Sequence, residues 1–170
     1  MGAVDPKALF SMSYGMYVVT SAANGQIANA VMQVTAVPET AAICINKQNL
    51  THERIVESGL FAVSVLDIDV PMTFIGQFGF KSGRDIDKFA GVDIVTGELG
   101  VPMVKSWCIS SFDAKVTGSV DVHTHTIFIG ELASTLTFKE SRPLTYADYH
   151  LVKKGRSPKT APTFVFNALK

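Results

Sequence analysis

Apolar and polar residues alternate between Gly25 and Thr35, which is the pattern of a half-buried β-strand. Successive side chains of a strand point to opposite faces, so one face would carry Asn29, Val31, Gln33 and Thr35. The other face would carry Ala28, Ala30, Met32 and Val34. The first face therefore offers amide and hydroxyl groups, and the second is apolar.

Similar patterns along the rest of the chain predict a mainly β protein with peripheral helices. Apolar runs of strand character lie at residues 15–21, 41–46, 60–66, 107–119 and 125–138. Helix signals cover residues 5–13, 51–58, 67–78 and 145–155. Asn24-Gly25 is predicted to close a hairpin, and another turn should fall within residues 120–124. A barrel is the natural way to bury such strands.

Two of the predicted helices have clear boundaries in the sequence. Thr51 is a plausible N-cap and Gly59 a plausible stop for one of them. For the last helix, Thr145 and Asp148 form a capping-box pattern, and Leu144 is placed to pack on Tyr149 as a hydrophobic staple. These signals predict where each helix begins and ends.

Composition indicates one compact domain: the chain has 170 residues, of which 47% are hydrophobic, and its formal net charge is +0. Basic residues form no stripe, so nucleic acid is not an expected partner. The cluster Lys153, Lys154, Arg156 and Lys159 is predicted to be a solvated tail. No apolar run approaches the roughly 20 residues of a membrane span, and the N-terminus does not resemble a signal peptide, so a cytoplasmic location is expected.

Metal binding is not expected from the cysteines or the histidines. Cys44 and Cys108 lie in apolar runs without a C-x-x-C pair, which predicts inert core thiols. His123 and His125 would share one strand face as two potential ligands, but no third ligand is suggested by spacing. Turn and strand-edge histidines are the alternative interpretation.

Two segments concentrate groups that bind anions. Lys47, Asn49 and Thr51 gather at the start of a predicted helix, where free N–H groups and partial positive charge would favour a phosphate. An ordinary capped helix beside a solvated lysine is the alternative. The second segment, 81–84, joins two cations, a hydroxyl and a flexible glycine, although alone it would be a surface loop. Hydrolysis is not expected, because Ser110 and Ser111 lack a nucleophile-elbow context.

Four motifs carry a resemblance to a known family. They are, in order, GQIANAVMQVT, CINKQNLTHERI, FIGQFGFKSGRDIDKF and THTIFIGEL. Together they resemble the flavin reductase-like family of FMN-binding split barrels, and the most similar form is the flavin module of high-molecular-weight rubredoxins and flavoredoxin-like proteins. The similarity covers nearly the whole chain, which implies a single domain over residues 1–170 with an FMN-binding split β-barrel fold.

The resemblance implies a set of FMN-binding residues. Backbone groups of Asn29, Ala30 and Val31 would meet the flavin ring, and Gln33 and Thr35 the ring or the ribityl chain. The phosphate end would be held by Asn46, Lys47, Asn49 and Thr51, with Lys81 and Ser82 as further ligands.

The resemblance also assigns a catalytic role to His125. In the family a Gly-Asp-His triplet precedes an apolar strand, and its histidine lies where nicotinamide meets the flavin ring. His125 matches that histidine by position, but the two preceding residues are His123 and Thr124 instead of Gly and Asp. His125 is therefore the residue expected to support reduction by a nicotinamide.

Three functions remain open from the sequence. The first is an FMN-dependent NAD(P)H oxidoreductase, a flavin reductase that passes electrons from NADH or NADPH to a flavin or protein acceptor. The second is a flavoredoxin-like electron carrier that is reduced by protein partners. The third is a non-redox binding module on the same barrel. A homodimer is expected, and a rubredoxin-like partner would be a separate protein because the chain ends at Lys170 without the needed cysteine pairs.

Overall fold

A computed structural model describes residues 5–164, in which a long sheet is flanked by short helices. A 3-10 helix covers Pro6–Ser11. The strands are β1 Tyr17–Ser21, β2 Asn24–Ala28, β3 Val31–Ala36, β4 Glu39–Asn46, β5 Leu60–Leu66, β6 Ile94–Thr96, β7 Pro102–Val104, β8 Cys108–Val122 and β9 His125–Thr137. The α-helices are α1 Leu50–Ser58, α2 Met72–Gly79 and α3 Tyr146–Leu151. None of the described helices is long and apolar enough to cross a membrane.

The main sheet is antiparallel and has two free edges. Its strand order is β2-β1-β5-β8-β9-β4-β3, and β6 and β7 form a separate hairpin. The edge strands β2 and β3 are consecutive in the chain, and only Asn29 and Ala30 lie between them. The sheet therefore curls without closing, which confirms the predicted mainly β split-barrel fold.

Apolar side chains pack on both faces of the central strands. Val19, Phe61 and Val63 belong to a cluster inside the barrel. Val18 and Leu66 belong to a second cluster, which packs between the sheet and the helices α2 and α3. Because neighbouring residues of β1 pack into different clusters, β1 is buried on both faces. The next strand in the chain, β2, lies at an edge of the sheet.

The predicted polar-faced strand is interrupted in the structure. β2 ends at Ala28, β3 begins at Val31, and the Val31 N–H bonds the Asn29 carbonyl at 3.2 Å. Asn29 therefore does not share a strand face with Gln33 and Thr35, because the chain passes here from one edge of the sheet to the other.

The hairpin turn was also predicted two residues too late. Ser21 pairs with Asn24, so the turn consists of Ala22 and Ala23, and Ala22 adopts a positive φ of 47°. Asn24 and Gly25 are instead the first residues of β2.

The helix boundaries are confirmed only in part. Gly59 ends α1 with a positive φ of 68°, as predicted, but Asn49 and not Thr51 is the N-cap residue. The Thr145 hydroxyl accepts from the Asp148 N–H, which confirms the capping box, although α3 ends at Leu151 instead of reaching Gly155. Residues 67–71 were predicted to cap a helix that runs to about Phe78, and α2 begins at Met72 directly after its N-cap residue Pro71 and ends at Gly79.

Candidate functional site

A cavity of about 320 Å³ lies where β2, the start of α1, the end of α2 and residues 156–162 meet. Its volume is within the range of about 300–1,000 Å³ that is usual for small-molecule sites. Its lining combines amides, hydroxyls and lysines with a few apolar side chains. The cavity is therefore suited to a ligand that has both an anionic group and several hydrogen-bonding groups.

One wall of the cavity is β2, and two of its amide side chains line the cavity. The Asn24 Nδ2 atom donates to the Thr51 Oγ1 atom at 2.7 Å, and both residues are buried. Among residues 5–164, the buried Asn24 Oδ1 and Gln26 Oε1 atoms have no hydrogen-bond partner. An unpaired polar atom that is withdrawn from water is costly, which favours a ligand that supplies the missing partner.

A second wall is the start of α1. The Asn46 Oδ1 atom accepts from the Gln48 N–H at 2.9 Å, and the Asn49 N–H bonds the Asn46 carbonyl at 3.0 Å. This turn leads into the first helical turn, in which Thr51 is 1% exposed. The unpaired N–H groups of a helix start are a favourable place for a phosphate.

The third wall is the loop after α2, which includes Lys81, Ser82 and Gly83. A side chain at Gly83 would collide with the Asn24 Oδ1 atom, so the loop approaches β2 closely. The loop is held by Lys88, whose Nζ atom donates to the carbonyls of Gln77 at 2.7 Å, Phe78 at 3.3 Å and Lys81. Burial, reinforced by the charge of Lys81, lowers the pKa of Lys88 to about 8, so Lys88 is mainly a cation at neutral pH.

The C-terminal segment, residues 156–163, supplies the fourth wall through residues 156–162. The Thr160 carbonyl accepts from Asn46 Nδ2 at 3.3 Å and from His125 Nε2 at 3.2 Å. The Thr163 hydroxyl accepts from Asn29 Nδ2 at 3.0 Å. This segment therefore lies across the polar ends of β2, β4 and β9.

Aromatic hydroxyls of α3 hold the beginning of the same segment. Tyr149 donates to the Arg156 carbonyl at 2.8 Å and accepts from its N–H at 3.2 Å. Tyr146 shares hydrogen bonds with Ser157 and Thr163. The basic residues Arg156 and Lys159 line the cavity, and both remain exposed, as expected of a solvated segment.

The cavity brings together only part of the residue set that was predicted from the sequence. Its lining includes Asn29, Asn46, Asn49, Thr51, Lys81 and Ser82. Of the other predicted residues, His125 lies at the rim and contacts Thr160 of the lining. Those outside the lining are Ala30, Val31, Gln33, Thr35 and Lys47.

Lys47 is directed away from the cavity. Its Nζ atom forms an ion pair with Asp121 at 3.2 Å, beside the turn between β8 and β9. The hydrogen bonds from Thr126 and from Lys47 lower the pKa of the Asp121 carboxyl, so Asp121 is a carboxylate at neutral pH.

The predicted residues of β3 lie at the opposite edge of the sheet from β2. Val31 and Gln33 line a separate groove with Tyr17, Phe112 and Leu132. The Thr35 hydroxyl bonds within the turn that leads to β4. The Ala30 carbonyl is used by the Cys44 N–H at 3.0 Å.

His125 lies at the rim of the cavity, at the first residue of β9. Because a carbonyl can only accept, its bond to Thr160 places the imidazole proton on Nε2, and Nδ1 then accepts from the Thr124 hydroxyl at 2.8 Å. His125 is thus oriented beside Asn46, with which it pairs in the sheet.

Both cysteines are free thiols. Burial raises the pKa of Cys44, which lines the cavity, and raises that of Cys108 to about 12. Both therefore stay protonated at neutral pH, as the prediction of inert thiols requires.

Several cavity residues were missed from the sequence. Asn24 was assigned to a turn, Gln26 was passed over, and Lys88 was noted only as part of a motif. The amides on alternate residues of β2 were a usable signal, because they share one strand face. The contribution of residues 156–162 had no comparable local signal.

Comparisons with known proteins agree with this fold. The flavin reductase like domain matches residues 9–155. The ferric-chelate reductase (NAD(P)H) of Archaeoglobus fulgidus is 47% identical over 165 residues, which cover 95% of this chain and 98% of the relative. The high molecular weight rubredoxin of Moorella thermoacetica is also 47% identical, over 95% of this chain and 72% of its own length.

Solved structures extend the comparison. The NADH:FAD oxidoreductase of Streptomyces globisporus superimposes with a TM-score of 0.75 and 26% identity, over 85% of this chain and 92% of that one. The flavoredoxin of Methanosarcina acetivorans has the same fold, with a TM-score of 0.69 and 22% identity over 81% of this chain and 75% of its own. The chain belongs to the flavin reductase-like domain family. The predicted class, a flavin reductase type of oxidoreductase, is thereby confirmed.

Proposed function

We propose that the protein is an FMN-dependent NAD(P)H oxidoreductase that passes electrons from a nicotinamide to a flavin or protein acceptor. The observation that supports this is one cavity that joins the start of α1 and the Lys81-Ser82 loop to the amide oxygens of Asn24 and Gln26, which have no partner among residues 5–164. This arrangement suits a ligand with a phosphate at one end and hydrogen-bonding groups along its length.

The residues present fit FMN. Thr51, Asn49, Lys81 and Ser82 would hold the phosphate, and the rest of the cavity would hold the ribityl chain and the ring. Relatives include both an FMN reductase (NADH) of Pseudomonas syringae and an NADH-dependent FAD reductase of Streptomyces globisporus. We propose FMN because the cavity of about 320 Å³ is at the lower end of the usual range for small-molecule sites and FMN is the smaller of the two flavins.

Bound FMN would supply the hydride and single-electron chemistry of the reaction. The protein would contribute binding and orientation: Lys81 and the start of α1 would neutralise an anion, while Asn46 would present an amide beside His125. His125 would orient the nicotinamide at this rim. Such a division of labour needs no nucleophile in the cavity.

The test is anaerobic reduction of the purified protein loaded with FMN. Bleaching of the visible flavin absorbance by NADH or by NADPH, each added separately, would support the proposed function and identify the donor. Tight FMN binding without bleaching by either donor would favour the electron-carrier alternative. Failure to bind FMN would overturn the proposal and favour the non-redox binding module.

FMN should bind at least tenfold more tightly than riboflavin, because charge-assisted hydrogen bonds to a phosphate contribute about 1.5–3 kcal/mol each. Lys81→Met should remove most of this preference while leaving riboflavin affinity unchanged. Lys47→Met is the matched comparison, since Lys47 is held by Asp121 outside the cavity. Fluorescence titration of the three apo-proteins with FMN and with riboflavin measures all six affinities. A loss confined to the Lys47 variant would instead support the phosphate position predicted from the sequence.

We also propose that the protein is a homodimer. β3 is a free edge strand, and Met32, Val34 and Val37 expose apolar side chains on it or in the turn after it, with Val37 91% exposed. An apolar edge of this kind is usually covered by a partner. Sedimentation equilibrium should give about twice the chain mass of 18.3 kDa. A monomer at micromolar concentration with FMN bound would contradict this.

A rubredoxin-like or other redox protein is the proposed acceptor. Support comes from the high molecular weight rubredoxin of Moorella thermoacetica, which is longer than the part that this chain matches. Rubredoxin reduction by the FMN-loaded protein tests this proposal.

A cytoplasmic location is also proposed. The free thiols Cys44 and Cys108 support it, because thiols stay reduced in the cytoplasm. Cell fractionation tests this proposal.

A further inference from the structure

Among residues 5–164, two buried amide oxygens on β2 have no hydrogen-bond partner. Asn24 and Gln26 are two residues apart, so their side chains point to the same face of the strand, and both line the cavity. Their Oδ1 and Oε1 atoms are buried and have no partner among the residues that the structure describes. Buried polar groups are normally paired, so these two point to a ligand.

The position of β2 indicates which part of a ligand the two amides meet. Asn24 bonds Thr51 and lies against Gly83, which places it beside the candidate phosphate residues. At the other end of the strand, Asn29 bonds Thr163 in the C-terminal segment. With a rise of about 3.3 Å per residue, Gln26 lies roughly 7 Å along the strand from Asn24 and 10 Å from Asn29. Gln26 is therefore in the middle of the cavity wall.

We propose that Gln26, assisted by Asn24, binds the hydroxyls of the ribityl chain, an inference that rests on the proposed FMN binding. In FMN the ribityl chain links the phosphate to the ring, so a group midway between the phosphate end and the far end of β2 faces the polyol. A hydroxyl both donates and accepts, so it can pair with the amide oxygen that has no partner. Gln26 is thus a specificity-determining residue for a polyhydroxyl linker.

This assignment differs from the one that the sequence predicted, in which Gln33 and Thr35 met the ring or the ribityl chain. Gln33 lines the groove beside β3, and its Nε2 atom bonds the Thr35 carbonyl at 3.2 Å. The two glutamines therefore form a matched pair, one inside the cavity and one outside it.

The experiment compares Gln26→Leu with Gln33→Leu using three probes: FMN, riboflavin and lumiflavin, which has the ring but no ribityl chain. Gln26→Leu should bind FMN and riboflavin about tenfold more weakly, as expected for one lost ligand hydrogen bond, and lumiflavin as tightly as the wild type. Thermal unfolding of the apo-protein should be unchanged or slightly higher, because the amide oxygen has no protein partner to lose.

Each other outcome has a distinct meaning. Unchanged FMN and riboflavin affinity in the Gln26 variant, or an equal loss for lumiflavin, would overturn the assignment while leaving the proposed function intact. A riboflavin loss confined to the Gln33 variant would overturn it in favour of β3. Failure of the wild type to bind any of the three probes would overturn the proposed function itself.

Discussion

Lys88→Met should lower the free energy of unfolding by about 2–3 kcal/mol, a large part of the stability of a domain of this size. Lys88 is 3% exposed, and its ammonium donates to the carbonyls of Gln77, Phe78 and Lys81. Gln77 and Phe78 lie in the last turn of α2, where carbonyls lack helical partners and a cation is favoured. Methionine fills a similar volume but leaves these carbonyls without the donor.

The predicted loss is smaller than the sum of the lost bonds, because removing Lys88 also removes the cost of burying a charge. That cost is seen in the lowered pKa of Lys88, about 8, and measurements at pH 7 keep the wild-type side chain charged. Urea unfolding of both apo-proteins measures the difference. Lys115→Met, at an exposed lysine on β8, is the control and should change the free energy by less than about 0.5 kcal/mol. Equal effects of the two substitutions would contradict the role of Lys88.

Elements set by local patterns were predictable from the sequence. β5 was predicted at residues 60–66 and lies at Leu60–Leu66, because a short apolar run bounded by Gly59 and Asp67 has few other solutions. Gly59 ends α1 and Thr145 begins α3 for equally local reasons. These features depend only on residues that are close in the chain.

The break between β2 and β3 was not predictable in the same way. Alternation continues through Asn29 and Ala30 as if one strand were present, whereas the two halves lie at opposite edges of the sheet. The order of strands in the sheet decides this, and that order depends on pairings between residues far apart, such as Thr40 with Glu131. For this reason Gln33 and Thr35, which were predicted to contact the ligand, lie on β3 and outside the cavity lining.

In the candidate site, too, local features were predictable and long-range contacts were not. Asn49, Thr51, Lys81 and Ser82 were found by their local anion-binding character, and the structure brings them to one cavity. Lys47 has the same character but is held by Asp121, a residue distant in sequence. Long-range contacts of this kind decide which cation faces the cavity, so sequence reasoning could name the candidates without choosing between them.

His125→Ala should slow reduction of the bound flavin by NADH or NADPH by about tenfold to a hundredfold while leaving FMN affinity unchanged. His125 lies at the rim of the cavity beside Asn46 and, unlike Lys81 and Ser82, is not part of the lining, so a phosphate contact is not expected of it. Its Nε2–H group is held by the Thr160 carbonyl at 3.2 Å, which shows that the imidazole presents a donor to an amide-type oxygen there. The carboxamide of a nicotinamide carries the same kind of oxygen.

Stopped-flow reduction of the FMN-loaded variants separates this positioning role from a structural one. His123→Ala is the matched control, because His123 lies in the β8–β9 turn with a positive φ of 49° and is exposed, and it should reduce at the wild-type rate. His125→Gln keeps an N–H donor at similar reach and should recover much of the reduction rate. If His125 served only to hold the C-terminal segment, its removal would change FMN affinity as well. An unchanged reduction rate in His125→Ala would refute the role, and a wild type that reacts with neither nicotinamide would shift the function to a carrier reduced by protein partners.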